Sequence, residues 1–238
     1  MTVQGKRVLV TGGASGLGAA VAAAVAKQGG RPLVIDRVPL TEGNGAGTAG
    51  TDAEYAVADL ADREAAERAV KDLAGRAGGL DAAVTAAGID SCGRLADVPA
   101  ADWERVIQVN LLGTAAVARA AMPYLKASGG RLVTCASTLG LKAVSDASAY
   151  CASKFGVIGF TRALAAETAG EIGVTLLIPG GMDTAFFDDR PEQYRPPAGA
   201  QLNQPGDVAE AVLFALGQPP GCEVRELVVC PSQEPSYP

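Results

Sequence analysis

Short apolar runs alternate with longer amphipathic stretches along this chain of 238 residues. Seven runs read as strands buried on both faces, at 7–10, 32–35, 55–58, 81–85, 131–136, 174–178 and 226–229. Ala-rich segments with helical periodicity lie between most of them, at 16–28, 62–77, about 100–126, 148–169 and 206–217. This alternation predicts a single α/β domain over residues 1–238, with a doubly wound parallel sheet of about seven strands flanked by helices.

Two stretches depart from the alternation. The interval 37–54 holds Gly43, Gly45, Gly47 and Gly50, which disfavour a helix, so the second crossover is expected to be a shortened loop. The segment 231–238 carries three prolines and is expected to be an extended tail.

Composition narrows the function classes. Hydrophobic residues make up 48% of the chain and charged residues 19%, which is typical of a globular protein rather than a disordered one. The net charge is −6 and no basic cluster occurs, so nucleic acid is not an expected partner. No apolar run reaches the length of a membrane span, and the N-terminus runs directly into the first strand without a signal peptide. We therefore expect no membrane association and a cytoplasmic location.

The sequence contains no histidine. This absence excludes serine hydrolases with a histidine base, Cys–His proteases and histidine-ligated zinc. The five cysteines are scattered without C-x-x-C spacing, and we expect them to be reduced thiols. No metal site is expected, and acid–base chemistry falls to Tyr, Lys, Asp, Glu or Cys.

One cluster supplies groups suited to hydride chemistry. Ser137 precedes the motif Tyr150-Cys151-Ala152-Ser153-Lys154, and a helix over 148–169 puts Tyr150 and Lys154 on one face, one turn apart. An ammonium beside a phenol favours the phenolate and lowers the phenol's pKa from its ordinary value of about 10. Such a phenol can give and take protons in alcohol oxidation and carbonyl reduction.

A glycine-rich turn follows the first strand, at Thr11-Gly12-Gly13-Ala14-Ser15-Gly16-Leu17-Gly18. A turn of this kind before a helix lets backbone N–H groups approach a pyrophosphate. Asp36 ends the second strand, where a carboxylate accepts hydrogen bonds from an adenosine ribose and repels a 2′-phosphate, so NAD is favoured over NADP. The adjacent Arg37 keeps NADP as the alternative, because a guanidinium can bind that phosphate.

These motifs, in this order and at this spacing, make the chain resemble the short-chain dehydrogenase/reductase family from end to end. Further matches are Asp59-Leu60, Ala86-Ala87-Gly88 and Pro179-Gly180, and one departure is Ala86, where the family usually has Asn. The resemblance implies a Rossmann fold. It also implies that the cofactor contacts Gly12, Ser15, Gly16, Leu17, Gly18, Asp36, Arg37, Asp59, Leu60, Ala87, Gly88, Tyr150, Lys154, Pro179, Gly180, Met182 and Thr184.

The same resemblance implies a catalytic tetrad of Asn110, Ser137, Tyr150 and Lys154. Tyr150 would be the general base in oxidation and the general acid in reduction, and Ser137 would bond the substrate oxygen. Lys154 would lower the phenol's pKa and bind the nicotinamide ribose, and Asn110 would support a water that relays protons. A homo-oligomer, either a tetramer or a dimer, is implied as well.

In this family a substrate lid follows Pro179-Gly180, which corresponds here to about 181–204. Its apolar side chains favour a secondary alcohol or ketone, with contacts expected from Ile89, Leu139, Gly181, Phe186 and Phe187. Asp188, Asp189 and Arg190 are interpreted as charges at the rim. Three functions stay open: an NAD-dependent alcohol oxidoreductase, an NADPH-dependent 3-oxoacyl-type ketoreductase, and a dinucleotide sensor without turnover.

Overall fold

The sheet is parallel throughout in the computed structural model, which describes residues 3–41 and 54–237. Its strands are β1 Arg7–Thr11, β2 Arg31–Asp36, β3 Glu54–Val57, β4 Ala82–Thr85, β5 Arg131–Cys135, β6 Gly173–Pro179 and β7 Glu226–Val229. They lie in the order β3-β2-β1-β4-β5-β6-β7. The order reverses between β1 and β4, which confirms the predicted doubly wound α/β fold.

Helices cover both faces of this sheet. They are α1 Gly16–Lys27, α2 Arg63–Ala77, α3 Ala100–Ile107, α4 Thr114–Ser128, α5 Ser148–Glu167 and α6 Pro205–Leu216. Alternate residues of β1 face opposite layers, since Val8 and Val10 pack with α1 and α6 whereas Leu9 packs with α2 and α4. The strands are apolar on both sides because each side carries a helical layer.

The helix predicted over about 100–126 is interrupted. A π-helical turn, Gln108–Gly113, separates α3 from α4. Inside it, the buried Asn110 side chain bonds the backbone of Ile89, and the Thr114 hydroxyl donates to the Asn110 carbonyl at 2.8 Å. A π turn of this kind often marks a functional position, and here it directs an amide inward.

The edge strands differ from the prediction that every strand is buried on both faces. Residues of β3 and β7 alternate between half-buried and exposed. Each of these strands pairs with a neighbour on one side only, so its outer side is reached by solvent. The glycines at 43–50 lie outside the described residues.

The C-terminal tail also differs from its prediction. Residues 231–237 turn back onto the body instead of extending away from it. The Glu234 carboxylate accepts hydrogen bonds from the Gly181 N–H at 2.8 Å and from the Ser236 N–H at 3.1 Å. Prolines prevent a helix here, but they leave this carboxylate free to dock on backbone donors.

One ion pair joins the start of β1 to the start of β4. The Arg7 side chain bonds both carboxylate oxygens of Asp81, at 2.7 and 2.9 Å, and the Arg7 N–H donates to the same carboxylate at 2.8 Å. The hydrogen bond from Arg7 has the largest effect on the pKa of Asp81. It lowers this pKa and outweighs burial, which acts to raise it. The paired carboxylate therefore stabilises the fold only while it is ionised.

We expect Asp81→Asn to reduce the free energy of unfolding at pH 7 by about 1–3 kcal/mol, because a charged bidentate contact is lost. Asp72→Asn, which breaks an exposed pair with Arg76 on α2, should cost less than about 0.5 kcal/mol. Since the folded-state pKa of Asp81 is lowered, its stabilisation is present above the ordinary pKa of about 4 and is lost as pH falls through the lowered value. Urea titrations should thus show the Asp81→Asn difference shrinking below about pH 4; a difference independent of pH contradicts this account.

Candidate active site

The candidate site lies at the carboxyl ends of β1 and β4, where the strand order reverses. The turns after β1 and β4 touch there: a Cβ on Gly12 would lie 2.9 Å from the Cα of Ala87. Gly12 also has φ of +74°, and the Ala87 N–H donates to the Thr11 hydroxyl at 3.2 Å. Only glycine meets both conditions, so the crevice between these turns depends on Gly12.

The glycine turn leads into the N-terminus of α1. A Cβ on Gly18 would collide with the Gly12 carbonyl, so the helix packs directly on the turn. Ser15 is the N-cap residue, and its side chain makes no capping hydrogen bond. The cradle therefore offers helix N–H groups and an uncommitted hydroxyl to an anion, which fits the pyrophosphate of a dinucleotide.

Two carboxylates lie at the carboxyl ends of β2 and β3, on one side of this cradle. Asp36 accepts hydrogen bonds from the Ala14 N–H at 2.9 Å and from the Val38 N–H at 3.2 Å. Asp59 forms an ion pair with Arg105 at 2.6 Å. This hydrogen bond from Arg105 is the largest effect lowering the pKa of Asp59, and the charge of Arg37 acts in the same direction. Leu60 beside it is buried.

The Asn110 side chain connects three elements of the site. Its Oδ1 accepts from the Ile89 N–H at 2.8 Å, and its Nδ2 donates to the Ile89 carbonyl at 2.9 Å. Nδ2 also donates to the Ser153 hydroxyl on α5 at 3.0 Å. The amide therefore fixes the turn after β4 against α5, directly beside Gly88.

The hydroxyl, phenol and ammonium come together at the carboxyl ends of β4 and β5. Lys154 Nζ lies 5.5 Å from the centroid of the Tyr150 ring and donates to the Cys135 carbonyl at 2.9 Å. The Ser137 hydroxyl accepts from the Leu139 N–H at 3.1 Å and lies near enough to the phenol to act on its pKa. Lys154 is buried, and Tyr150 is half-buried.

Burial dominates the protonation of these groups. It raises the pKa of Tyr150 above its ordinary value, although the hydrogen bond with Ser137 acts in the opposite direction. Burial likewise lowers the pKa of Lys154. With protein groups alone, the phenol thus keeps its proton near neutral pH, which suits a proton donor, and the lowering that the sequence predicts is not seen.

The segment after β6 lies against the glycine turn. Gly180, next to Pro179, donates its N–H to the Val229 carbonyl at 2.9 Å, and Met182 packs against the apolar cluster that contains the buried residues of α1 and α6. The Thr184 hydroxyl accepts from the Phe186 N–H at 3.3 Å, and its Cγ2 lies 3.5 Å from where a Gly16 Cβ would be. This segment therefore borders the same crevice as the turn after β1.

Residues 181–203 form a loop that closes on itself. The Asn203 N–H bonds the Gly181 carbonyl and the Asp183 N–H bonds the Asn203 carbonyl, both at 2.9 Å. Within this loop, the Phe186 ring lies 5.7 Å from the Tyr150 ring and 5.6 Å from the Phe187 ring. The loop thus brings aromatic side chains beside the phenol.

Arg190 is not a rim charge as the sequence suggested. Its side chain is only 16% exposed and pairs at 2.6 Å with Asp90, whose side chain is 4% exposed. The guanidinium lies 4.8 Å from the Phe186 ring and 4.7 Å from the Phe187 ring. The prediction failed because the partner, Asp90, follows β4 and is a hundred positions away in sequence.

Asp90 has two further partners. The Ser91 N–H donates to it at 2.7 Å and the Cys92 thiol at 3.2 Å. Burial, followed by Asp90, raises the pKa of Cys92 to about 12, so the thiol keeps its proton and acts as a donor. The carboxylate is therefore satisfied on both oxygens, and its charge is neutralised by Arg190.

Sequence reasoning missed three residues that shape the site, Asp90, Arg105 and Glu234, and it assigned Arg190 to the rim. A signal existed for Asp90, since it stands two residues beyond Gly88 at the carboxyl end of a parallel strand, where ligands bind in such sheets. The other two carried no local signal. In the described residues, 3–41 and 54–237, no three His, Cys, Asp or Glu side chains cluster to hold a metal ion. No helix in the same ranges is both long and apolar enough to cross a membrane.

Comparison with known proteins places this geometry in a family. A family profile described as short chain dehydrogenase matches residues 6–195. The chain is 33% identical over 97% of its length, and over the whole of the relative, to an uncharacterized oxidoreductase of Staphylococcus aureus. It is also 32% identical to glycine betaine reductase of Emericella nidulans, over 98% of this chain but only 19% of that protein.

Solved structures agree. A short chain dehydrogenase from Burkholderia cenocepacia in complex with NADP has a TM-score of 0.85 and 32% identity, covering 97% of this chain and 98% of the other. An alcohol dehydrogenase from Thermococcus sibiricus complexed with 5-hydroxy-NADP has a TM-score of 0.83 and 26% identity, covering 94% and 95%. The chain belongs to the short-chain dehydrogenase family of oxidoreductases, as its motifs predicted.

We expect Asp90→Asn and Arg190→Gln each to loosen the 181–203 loop, because removing the charge of one partner in a buried ion pair leaves the charge of the other uncompensated. Amide exchange in the 185–195 peptide should accelerate at least about tenfold in each variant. Both substitutions remove the same interaction. The exchange rate of the double variant should therefore be far lower than the rate obtained by adding the effects of the two single substitutions.

Hydrogen-exchange mass spectrometry of the two single variants and the double variant measures this coupling. Asp188→Asn is the matched control, because that carboxylate is exposed in the same loop. Independent, additive effects of the two substitutions would show that Asp90 and Arg190 do not hold the loop together.

Proposed function

We propose that this chain is an NAD-dependent dehydrogenase that transfers a hydride between NAD and a secondary alcohol or its ketone. The observation that carries the proposal is the convergence of Ser137, Tyr150 and Lys154 beside the crevice whose glycine cradle fits a pyrophosphate. A bound NAD supplies the hydride acceptor at the nicotinamide, and NADH supplies the donor. The protein residues supply orientation and the proton.

Tyr150 is the proton carrier in this proposal. In reduction its phenol donates a proton to the carbonyl oxygen, and in oxidation it accepts the proton of the hydroxyl. The proximity of Ser137 to the phenol, which is close enough to act on its pKa, supports a role for both groups at one substrate oxygen. In this proposal Lys154 Nζ, which lies beside Gly88, orients a ribose and passes protons along the Asn110 side of the site.

A substrate without net charge fits the surroundings of Tyr150. Phe186 offers an aromatic face next to the phenol, with Phe187 behind it. The Arg190 guanidinium, which lies over these rings, is already neutralised by Asp90. A medium-sized apolar alcohol, with Ile89 and Leu139 as further contacts, is therefore favoured over an anionic one.

The choice of NAD rests on Asp36. One of its oxygens accepts from the Ala14 N–H in the glycine turn and the other from the Val38 N–H after β2, which supports a carboxylate fixed beside the cradle that would repel a 2′-phosphate. Arg37 supports the alternative, an NADPH-dependent 3-oxoacyl-type ketoreductase, and the two structural relatives described above were solved with NADP or 5-hydroxy-NADP. The proposal favours NAD because the glycine turn itself carries no basic residue.

The proposal includes a homo-oligomer, a dimer or a tetramer, in the cytoplasm. Leu112, 56% exposed in the π-helical turn, and Phe155, 46% exposed on α5, support it. Large apolar side chains exposed on neighbouring helical elements are what a symmetric contact between copies buries.

We expect Tyr150→Phe to lower turnover at least about a hundredfold, because only the proton-carrying hydroxyl is removed. The dissociation constant for NADH should stay within about threefold, since the ring and its packing on Phe186 remain. NADH formation should be followed with a panel of aliphatic, cyclic, steroid and 3-hydroxyacyl alcohols.

Tyr55→Phe, which removes an exposed phenol on the distant edge strand β3, is the control and should leave turnover unchanged. Near-normal turnover in Tyr150→Phe would refute the assignment. Cofactor binding by the wild type without turnover on any panel member favours the sensor function instead.

We expect Asp36→Asn to lower the ratio of kcat/KM for NAD to kcat/KM for NADP at least about tenfold, because the repelling charge is removed. The amide oxygen can still accept the Ala14 N–H, so the turn is kept. Arg37→Gln should change this ratio little. A wild type that prefers NADP, and loses that preference in Arg37→Gln, would instead support the ketoreductase.

A further inference from the structure

The C-terminal segment 231–237 contacts both loops that border the reactive phenol. One is the loop after β5, which carries Ser137, and the other is the segment after β6, which contains Gly180 and Gly181. Neither contact follows from the family motifs, which end at Thr184.

On the side of β6, the contact is made by Glu234. Its Oε2 accepts the Gly181 N–H at 2.8 Å and lies directly against Gly180, where a Cβ would collide with it. Its Oε1 accepts from the Ser236 N–H at 3.1 Å and from the Ser236 hydroxyl at 2.5 Å. Burial alone would raise the pKa of Glu234, but these hydrogen bonds outweigh it and lower the pKa, so the carboxylate is ionised at neutral pH.

On the side of β5, the contacts are made by Ser236 and Pro235. The Ser236 hydroxyl lies 2.7 Å from the hydroxyl of the buried Thr138, the residue after Ser137. Lys142 Nζ donates to the Pro235 carbonyl at 3.1 Å. A fourth contact joins the tail to the 181–203 loop, where the Ser232 hydroxyl bonds Gln201 at 3.1 Å.

We infer that residues 231–237 are a clamp that fixes the Gly180–Gly181 backbone relative to Ser137, with Glu234 as the positioning residue. The inference rests on the proposed function in one respect, that the segment after β6 holds the nicotinamide. A charged acceptor on a backbone N–H is a strong, directional contact, and the shared Ser236 hydroxyl couples it to the loop after β5. Glu234 itself does not need to touch the substrate.

The test uses the full chain with Glu234→Ala, Ser236→Ala and Glu210→Ala. Glu210 is an exposed residue on α6 and serves as the matched control. Hydrogen exchange is followed in the peptides 179–183 and 137–142. Binding of NADH and of ADP-ribose, which lacks the nicotinamide, is measured by calorimetry.

Glu234→Ala should accelerate exchange in 179–183 at least about fivefold. It should weaken NADH binding at least about fivefold and ADP-ribose binding less than about twofold, because only the nicotinamide side is released. Ser236→Ala should accelerate exchange mainly in 137–142, and Glu210→Ala should change nothing. Unfolding midpoints within about 3 °C of the wild type show that the variants are folded.

Unchanged exchange in 179–183 in Glu234→Ala would overturn the inference. Equal weakening of NADH binding and ADP-ribose binding would also overturn it, because this result indicates a general structural effect. If Glu234→Ala does not fold, Ser236→Ala provides the test: faster exchange in 137–142 supports the inference, and unchanged exchange there overturns it. If the wild type binds neither ligand, the proposed function fails, whereas the exchange data still test whether the tail holds the two loops.

Discussion

The close approach of the turns after β1 and β4 is the constraint on which the site depends. With Gly12 at positive φ and no room beside Ala87 for a Cβ, no side chain of residue 12 fills the place where the sheet order reverses. The crevice opens there because crossovers leave β1 and β4 on opposite faces. The glycine turn, the Asn110 amide and the α5 side chains are all placed relative to this contact, since each borders the turn after one of these strands.

Polar links between loops then complete the site. The turn after β4 is fixed to α5 through Asn110 and to the 181–203 loop through Asp90 and Arg190. The segment after β6 is fixed by Glu234 of the tail. The strands fix only the ends of these loops. The outer parts of the loops are held by directional side-chain contacts, which carboxylates make with N–H donors.

Some of this could be predicted from sequence and some could not. Alternating apolar runs indicated the strands, and helical spacing put Tyr150 beside Lys154, because both signals depend on neighbours within one element. The apolar periodicity did not predict the π-helical turn at Asn110, because one extra residue in a turn barely alters the apolar pattern. The raised pKa of Tyr150 was not predicted either, because its largest cause is burial by elements that are distant in the sequence.

The sequence by itself determined the family, the order of the elements and the pairing of Tyr150 with Lys154 on one helix face, because motif spacing and periodicity are local properties of the chain. Only the tertiary structure decided that Arg190 is neutralised by Asp90, that Arg105 pairs with Asp59, and that Glu234 docks on Gly181. These partners are 46 to 100 positions apart. Their pairing depends on which loops the parallel sheet gathers at its carboxyl edge, and no spacing rule along the chain encodes that.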